Sequence, residues 1–191
     1  MNTVINFAVR FLSEGFEPVM VFLPICLFLR LVYLNWRRKS SLADKADPIR
    51  ETVFVFFMVF MIMLFTQTFI YNTGINEICP IPFYIIIKQI VEADISVFTL
   101  RGMIFNVFGN IGIFIPVGIF IPALFKTNFS QTVLRGFFIS LIIETVQLPL
   151  PRTSDVDDLI LNTAGAAIGY GIYYLYKRLS QKYNKKQVPL R

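Results

Sequence analysis

The stretch FNVFGNIGIFIPVGIFIPALF, residues 105–125, decides the fold, because it carries no charged side chain over a length that crosses a bilayer. A transmembrane helix needs about 20 mostly apolar residues. Pro116 and Pro122 interrupt the run, but prolines are tolerated in transmembrane helices, where neighbouring groups satisfy the freed carbonyls. The stretch therefore predicts a helix that spans a membrane.

Further apolar runs extend this pattern to a bundle, and they cover residues 19–36, 52–70, 132–148 and 158–176. The chain of 191 residues is 55% hydrophobic with a mean hydropathy of +0.64, which is typical of membrane proteins. We predict an all-α, polytopic transmembrane helix bundle of about five spans, with residues 1–191 as one domain. Residues 71–104 form an outer-face loop or re-entrant segment in this prediction, and residues 180–191 a flexible basic tail.

Lysines and arginines are distributed unevenly between the two predicted sides of the membrane. Most fall in residues 37–50, 126–135 and 177–191. The opposite side carries Arg10, Lys88, Arg101 and Arg152. Positively charged segments stay in the cytoplasm, so this bias places the N-terminus outside and the C-terminus inside. The net charge of +6 is thus explained by basic residues that set the topology and lie beside anionic lipid. No nucleic-acid partner is expected.

The chain has no histidine and two cysteines, Cys26 and Cys79. The lack of histidine excludes a Ser/His/Asp triad and argues against zinc, whose sites are built from histidine and cysteine. Neither a haem nor a nucleotide is expected as a cofactor. If a metal binds, the carboxylates suit Mg²⁺ or Ca²⁺, with Asp155 and Asp158 as the ligands.

The start of the last predicted span carries polar residues at helical spacing. Asp155, Asp158 and Asn162 lie three and four residues apart, so a helix places them on one face. Ser154 can cap this helix, with Asp157 at the reciprocal position of a capping box. That arrangement gives Asp157 a structural explanation and leaves Asp155 and Asp158 as the functional candidates.

Gly165-Ala-Ala-Ile-Gly169, in the same span, is a small-xxx-small pattern. Such patterns let two helices approach closely in lipid. A phosphate-binding loop would need a strand, a loop and a helix in succession, and the apolar surroundings do not supply them. We therefore predict that these glycines pack against a neighbouring helix.

Glu144 and Gln147 lie three residues apart near the end of the fourth predicted span, so they share a helix face. A carboxylate beside hydrocarbon needs a partner, and Arg152 is the candidate on the same side. Two interpretations stay open. Either Glu144 is a functional carboxylate, or Glu144 and Arg152 form a structural lock between two helices.

Asn106 and Asn110 lie one helical turn apart at the outer end of the third predicted span. Their amides can hydrogen-bond across helices and hold the bundle together, or they can line a polar pocket. The predicted topology brings the polar groups of separate segments to the outer leaflet. We therefore predict one outward-facing, ligand-binding pocket formed by Asn106, Asn110, Glu144, Gln147, Arg152, Asp155, Asp158 and Asn162.

These residues also carry a family resemblance. The patterns Asn106-Val-Phe-Gly-Asn110-Ile-Gly-Ile-Phe-Ile-Pro116-Val-Gly118, Glu144-xx-Gln147 and Arg152-xx-Asp155-xx-Asp158-xxx-Asn162-xx-Gly165, in this order, resemble the VanZ-like family. The resemblance covers roughly residues 50–178 and leaves out the first predicted span. It implies a multi-pass protein of the bacterial plasma membrane, linked to resistance against the glycopeptide antibiotic teicoplanin.

Three functions are open at this point, and the sequence does not indicate an oligomeric state. In the first and preferred one, the pocket engages a lipoglycopeptide such as teicoplanin or a lipid-linked cell-wall precursor, and Arg152 meets an anionic group. In the alternative, the protein is an intramembrane hydrolase or transferase of lipid-linked envelope substrates. Glu144 and Asp158 would be catalytic, with Asp155 and Asp158 available for a divalent ion. In the third, the polar network locks a bundle that binds another membrane protein.

Overall fold

A computed structural model describes residues 2–39, 47–70, 78–79, 97–149 and 154–187. The helices are α1 (Asn2–Lys39), α2 (Pro48–Ile70), α3 (Val97–Phe125), α4 (Phe129–Gln147) and α5 (Val156–Gln187). Two short strands, β1 (Ile78–Cys79) and β2 (Ser154–Asp155), pair in parallel. The structure confirms the predicted helical membrane bundle, with a helix at each of the predicted positions.

In the described part of the chain, four helices have the length and apolar composition that crossing a membrane requires. Their apolar stretches are Phe16–Trp36, Pro48–Thr66, Asn106–Phe125 and Phe129–Gln147. α5 differs because its first turn carries Asp157 and Asp158 and its last turns are basic. Its 32 residues correspond to about 48 Å, more than the roughly 30 Å of a bilayer core. Crossing by α5 and the orientation of the termini stay predictions.

The helices continue beyond the apolar runs. α1 extends back to Asn2 and passes through Pro18 and Pro24 without a break. α3 begins at Val97, so the last part of the predicted 71–104 loop is helical. α5 runs to Gln187, into the predicted basic tail. Lysine, glutamine and arginine are good helix formers, so a polar flank does not end a helix where the hydrocarbon ends.

α3 lies at the centre of the bundle and packs against α2, α4 and, most extensively, α5. The apolar core is formed by buried side chains of α2, α3 and α4: Phe57, Leu64, Phe114, Val117, Ile121, Leu124 and Ile143. α1 packs on α2 and leaves most of its large apolar side chains exposed on the outside of the bundle. In a bilayer, lipid covers such a surface.

The predicted close packing at the glycines of α5 is confirmed. A methyl group added at Gly165 would overlap the backbone carbonyl of Ile111, and one added at Gly169 would overlap the carbonyl of Ile115. Moving one turn along α5, from Gly165 to Gly169, moves the contact one turn along α3 in the same direction, so the two helices run parallel. This direct backbone contact fixes how the polar start of α5 lies against α3.

Candidate functional site

The polar starts of α3 and α5 meet in the structure. Asn110 Nδ2 donates a hydrogen bond to Asp158 Oδ1, and it also lies 3.3 Å from Asn106 Oδ1 on the preceding turn. A side-chain amide nitrogen has two hydrogens, so it can serve both acceptors. Three of the predicted site residues, from two distant segments, are therefore connected.

A second hydrogen bond joins α5 to α4. Asn162 Nδ2 donates to Ser140 Oγ at 2.9 Å, and the two residues are 5% and 0% exposed. Asn162 Oδ1 is buried and has no hydrogen-bond partner. An unsatisfied buried polar group costs about 1–3 kcal/mol, and such groups are expected at functional sites.

The contacts between α4 and α5 define an antiparallel register. Gly136 of α4 lies against Ala166 of α5. Ser140, one turn later on α4, lies against Asn162, which is one turn earlier on α5. Continuing this register by one more turn places Glu144 at the level of Asp158. Glu144 is 8% exposed, so its carboxyl group is turned into the bundle. This register puts Glu144, Asp158 and Asn162 on the facing sides of α4 and α5, and their joint role in one site stays a prediction.

The buried face of α4 is mostly polar or small. Its buried residues are Thr132, Gly136, Ser140, Ile143, Glu144 and Gln147. The exposed side chains of the same helix include Leu134, Phe138, Leu141 and Ile142. Polar groups are costly in hydrocarbon, so a membrane helix turns them toward its neighbours. We refer to Asn106, Asn110, Ser140, Glu144, Gln147, Asp157, Asp158 and Asn162 as the polar site.

Two members of the polar site were missed by sequence reasoning. Asp157 was explained as part of a capping box with Ser154, whose side chain lies outside the described residues, so that explanation stays a prediction. Asp157 is 3% exposed, less than Asp158, and belongs to the buried face of the helix. Ser140 lies one turn before Glu144, so extending the Glu144–Gln147 face backwards along α4 would have found it.

Arg152 and the side chain of Asp155 lie outside the described residues, so their predicted roles and the Glu144–Arg152 lock stay predictions. The backbone of Asp155 lies in β2 opposite Cys79 of β1. This pairing brings part of the segment between α2 and α3 beside the start of α5. The polar site therefore lies at the end of the bundle where β1, which follows α2, pairs with β2 at the start of α5.

A metal site is not evident in the part of the chain that the structure describes. No three histidine, cysteine, aspartate or glutamate residues there are grouped as a metal ion would require. The side chain of Asp155 is not among those residues. A divalent ion held by Asp155 and Asp158 therefore stays a prediction.

Comparison with known proteins identifies the family. The VanZ/LLP1 family matches residues 52–177, well over half of the chain. The chain belongs to the VanZ/LLP1 family. No curated protein and no solved structure shows significant similarity to it.

The VanZ/LLP1 match runs from the first turns of α2 into the second half of α5. It includes the whole polar site and leaves α1 outside, as the resemblance in the sequence implied. Family membership and the four apolar helices together establish a VanZ-like membrane protein.

Proposed function

We propose that this VanZ/LLP1 protein contributes to teicoplanin resistance in the bacterial plasma membrane. In this proposal, the polar site opens outward and binds either the lipid-anchored drug or a lipid-linked cell-wall precursor. The observation that carries the proposal is the polar site itself, which is buried at Ser140, Glu144, Gln147, Asp157 and Asn162. Side chains from three helices are joined across helix boundaries by the Asn110–Asp158 and Asn162–Ser140 hydrogen bonds.

The chemistry of the polar site suits a glycosylated ligand. Carboxylates accept hydrogen bonds from hydroxyl and amine groups, and amides both donate and accept them. Ligand sites of this kind combine a few oriented polar groups with apolar walls. A sugar or peptide head group is therefore a better match to these side chains than a purely apolar lipid.

The exposed apolar face of α3 lies on a different side of the helix from the polar site. Ile104 and Phe108, one turn apart on α3, are 48% and 69% exposed. Gly112 continues this face by another turn, and a methyl group added there would meet no other atom within 4 Å. Residues two apart on a helix point to nearly opposite sides, so this apolar face is turned to lipid and away from Asn106 and Asn110.

The test compares two neighbours on α4. Glu144 is buried in the polar site, whereas Thr145 is exposed on the other side of the helix. In a susceptible bacterial host, Glu144→Gln and Asp158→Asn should abolish the teicoplanin tolerance that the unaltered protein confers, and Thr145→Ala should preserve it. Protein levels in the membrane are measured for every variant, and a glycopeptide without an acyl chain serves as the comparison drug. Unchanged tolerance with Glu144→Gln and Asp158→Asn at normal protein levels would contradict the proposal.

An enzyme acting on lipid-linked envelope substrates is the second candidate. In its favour is the α4–α5 register, which, continued by one turn from Ser140 and Asn162, puts Glu144 and Asp158 at one level of facing helices. Two carboxyl groups at one level could serve as general acid and general base. Purified protein should then convert a component of a bacterial lipid extract, and Glu144→Gln should stop the conversion. Adding EDTA would reveal whether a divalent ion takes part. If the protein binds the lipids but does not convert them, the enzyme is excluded and the binding function remains.

A further inference from the structure

We propose that Ser140 and Asn162 form the closed end of the polar site and that they take one neutral hydrogen-bonding group of its ligand, a hydroxyl or an amide. This inference rests on the proposed binding function, since it identifies the deepest point that the ligand reaches. Ser140 enters the site through the structure alone, because nothing in the sequence patterns had singled it out.

The contacts beyond Ser140 close the site. One turn further into the bundle, a methyl group added at Gly136 would overlap the methyl group of Ala166. Ala166 is itself fully buried, and its backbone carbonyl touches Gly118 of α3. At this level α3, α4 and α5 are in direct contact. The row of polar residues therefore ends at Ser140 and Asn162 on this side, and beyond them the helices pack directly against one another.

The register gives the length of this row of polar residues. Gln147 lies at the end of α4 and Ser140 lies seven residues before it, which corresponds to about 10 Å along the helix. The polar residues between these two levels come from both α4 and α5. A head group that enters beside Gln147 can thus extend toward Asn162 while it remains among polar side chains.

The groups at the closed end select for a neutral partner. The Ser140 hydroxyl and the Asn162 amide are both uncharged, and Asn162 retains one amide atom without a partner. A charge placed between them would be costly, because the two residues are almost fully removed from solvent. A hydroxyl or an amide can bond to either atom of the Asn162 side chain, whichever way that side chain is turned. Sugars and acylated amino groups carry such partners.

Thiol labelling tests whether the closed end opens to small molecules. In a protein with Cys26→Ser and Cys79→Ser, Ser140→Cys and Thr132→Cys are compared. Both positions are 0% exposed and lie on the same face of α4, but the Gly136–Ala166 contact separates them. Methyl methanethiosulfonate should label Ser140→Cys at least about tenfold faster, because only the polar site opens locally. The labelling rate of Asn162→Cys, on the facing helix, provides a second measurement and should also be fast.

Equal labelling at Ser140→Cys and Thr132→Cys would overturn the inference, and so would a slow reaction at both Ser140→Cys and Asn162→Cys. Teicoplanin then distinguishes this inference from the proposed function. If the drug slows labelling at Ser140→Cys, the inference and the proposed function are both supported. If labelling is fast but unaffected by teicoplanin, the inference stands and the proposed ligand is wrong.

Discussion

Asn110 on α3 donates a hydrogen bond to the carboxylate of Asp158 on α5, across 48 residues of sequence. This bond connects the two helices at the same end where Glu144 of α4 is buried. Since α3 and α5 are already held by backbone contact at Gly165 and Gly169, the bond does not have to bring the helices together. It sets where the Asp158 carboxylate points, which is a requirement of a binding site.

Asn110→Ala should destabilise the protein, because it removes one donor from a partly buried carboxylate. Hydrogen bonds to charged groups contribute about 1.5–3 kcal/mol. Asn106→Ala is the matched control, since Asn106 is exposed and its contact with Asn110 is long at 3.3 Å. Chemical unfolding in detergent micelles measures the two free energies. Equal losses for both variants would show that the Asn110–Asp158 bond adds nothing specific.

Gly165→Ala and Gly169→Ala should each destabilise the bundle, because the added methyl group would overlap a backbone carbonyl of α3. Overpacking of this kind costs typically about 1–3 kcal/mol. Gly171→Ala, on the same helix, meets no atom within 4 Å and should be neutral, or stabilising by up to about 1 kcal/mol through helix propensity. Thermal unfolding of the three variants in one detergent tests this order. A stable Gly169→Ala variant would mean that α3 and α5 are further apart than described.

The fold could be predicted from the sequence because the length of an apolar run is itself a structural constraint in a bilayer. The ends of the helices could not be predicted in this way. α3, for example, begins at Val97, whereas its apolar run begins at residue 105. Outside the hydrocarbon, the helix end depends on local propensity and on contacts that apolar composition does not encode. α5 was predicted as a span from the apolar run at residues 158–176, although its composition does not reach that of the other four helices.

The polar site was predicted where polar residues recur at helical spacing, as Asp158 and Asn162 do. Ser140 gave only a weak signal: it lies one turn before Glu144, but a single serine within an apolar run is compatible with several orientations. Its place in the site follows from the antiparallel register of α4 and α5, which is set by the Gly136–Ala166 contact. Contacts between helices of this kind cannot be read from one segment alone.

Lys126→Gly should stabilise the connection between α3 and α4. Lys126 follows the last residue of α3 with a φ of 53°, and its amide donates to the Pro122 carbonyl at 3.0 Å. A residue with a Cβ pays about 1–2 kcal/mol in this left-handed conformation, whereas glycine does not. Lys126→Ala is the control, because it removes the same charge without relieving the backbone. Unfolding measurements should rank Gly above Ala, and the reverse order would contradict the description of this turn.

α1 is attached to the rest of the bundle through a charged pair. Arg30 Nη2 and Nε donate to the two carboxylate oxygens of Glu51 on α2, at 2.9 and 3.1 Å. The guanidinium group also lies 4.4 Å from the ring centroid of Phe54. The residues are partly buried, with side-chain exposures of 19% and 26%. The family match begins directly after Glu51, so this pair lies at the boundary between α1 and the family region.

Arg30→Lys should weaken this attachment even though it keeps the charge, because lysine lacks the planar fork and the stacking surface of arginine. A double-mutant cycle of Arg30→Met and Glu51→Gln, which removes both charges, should yield a coupling energy of about 0.5–3 kcal/mol, as for groups in one network. Arg50→Ala is the control, since Arg50 is exposed beside Glu51. A coupling energy near zero would mean that packing of α1 on α2 depends on apolar contacts alone. Under the proposed function, teicoplanin tolerance should stay intact in Arg30→Lys, because Glu51 lies at the start of α2, whereas the segment that follows the end of α2 pairs beside the polar site.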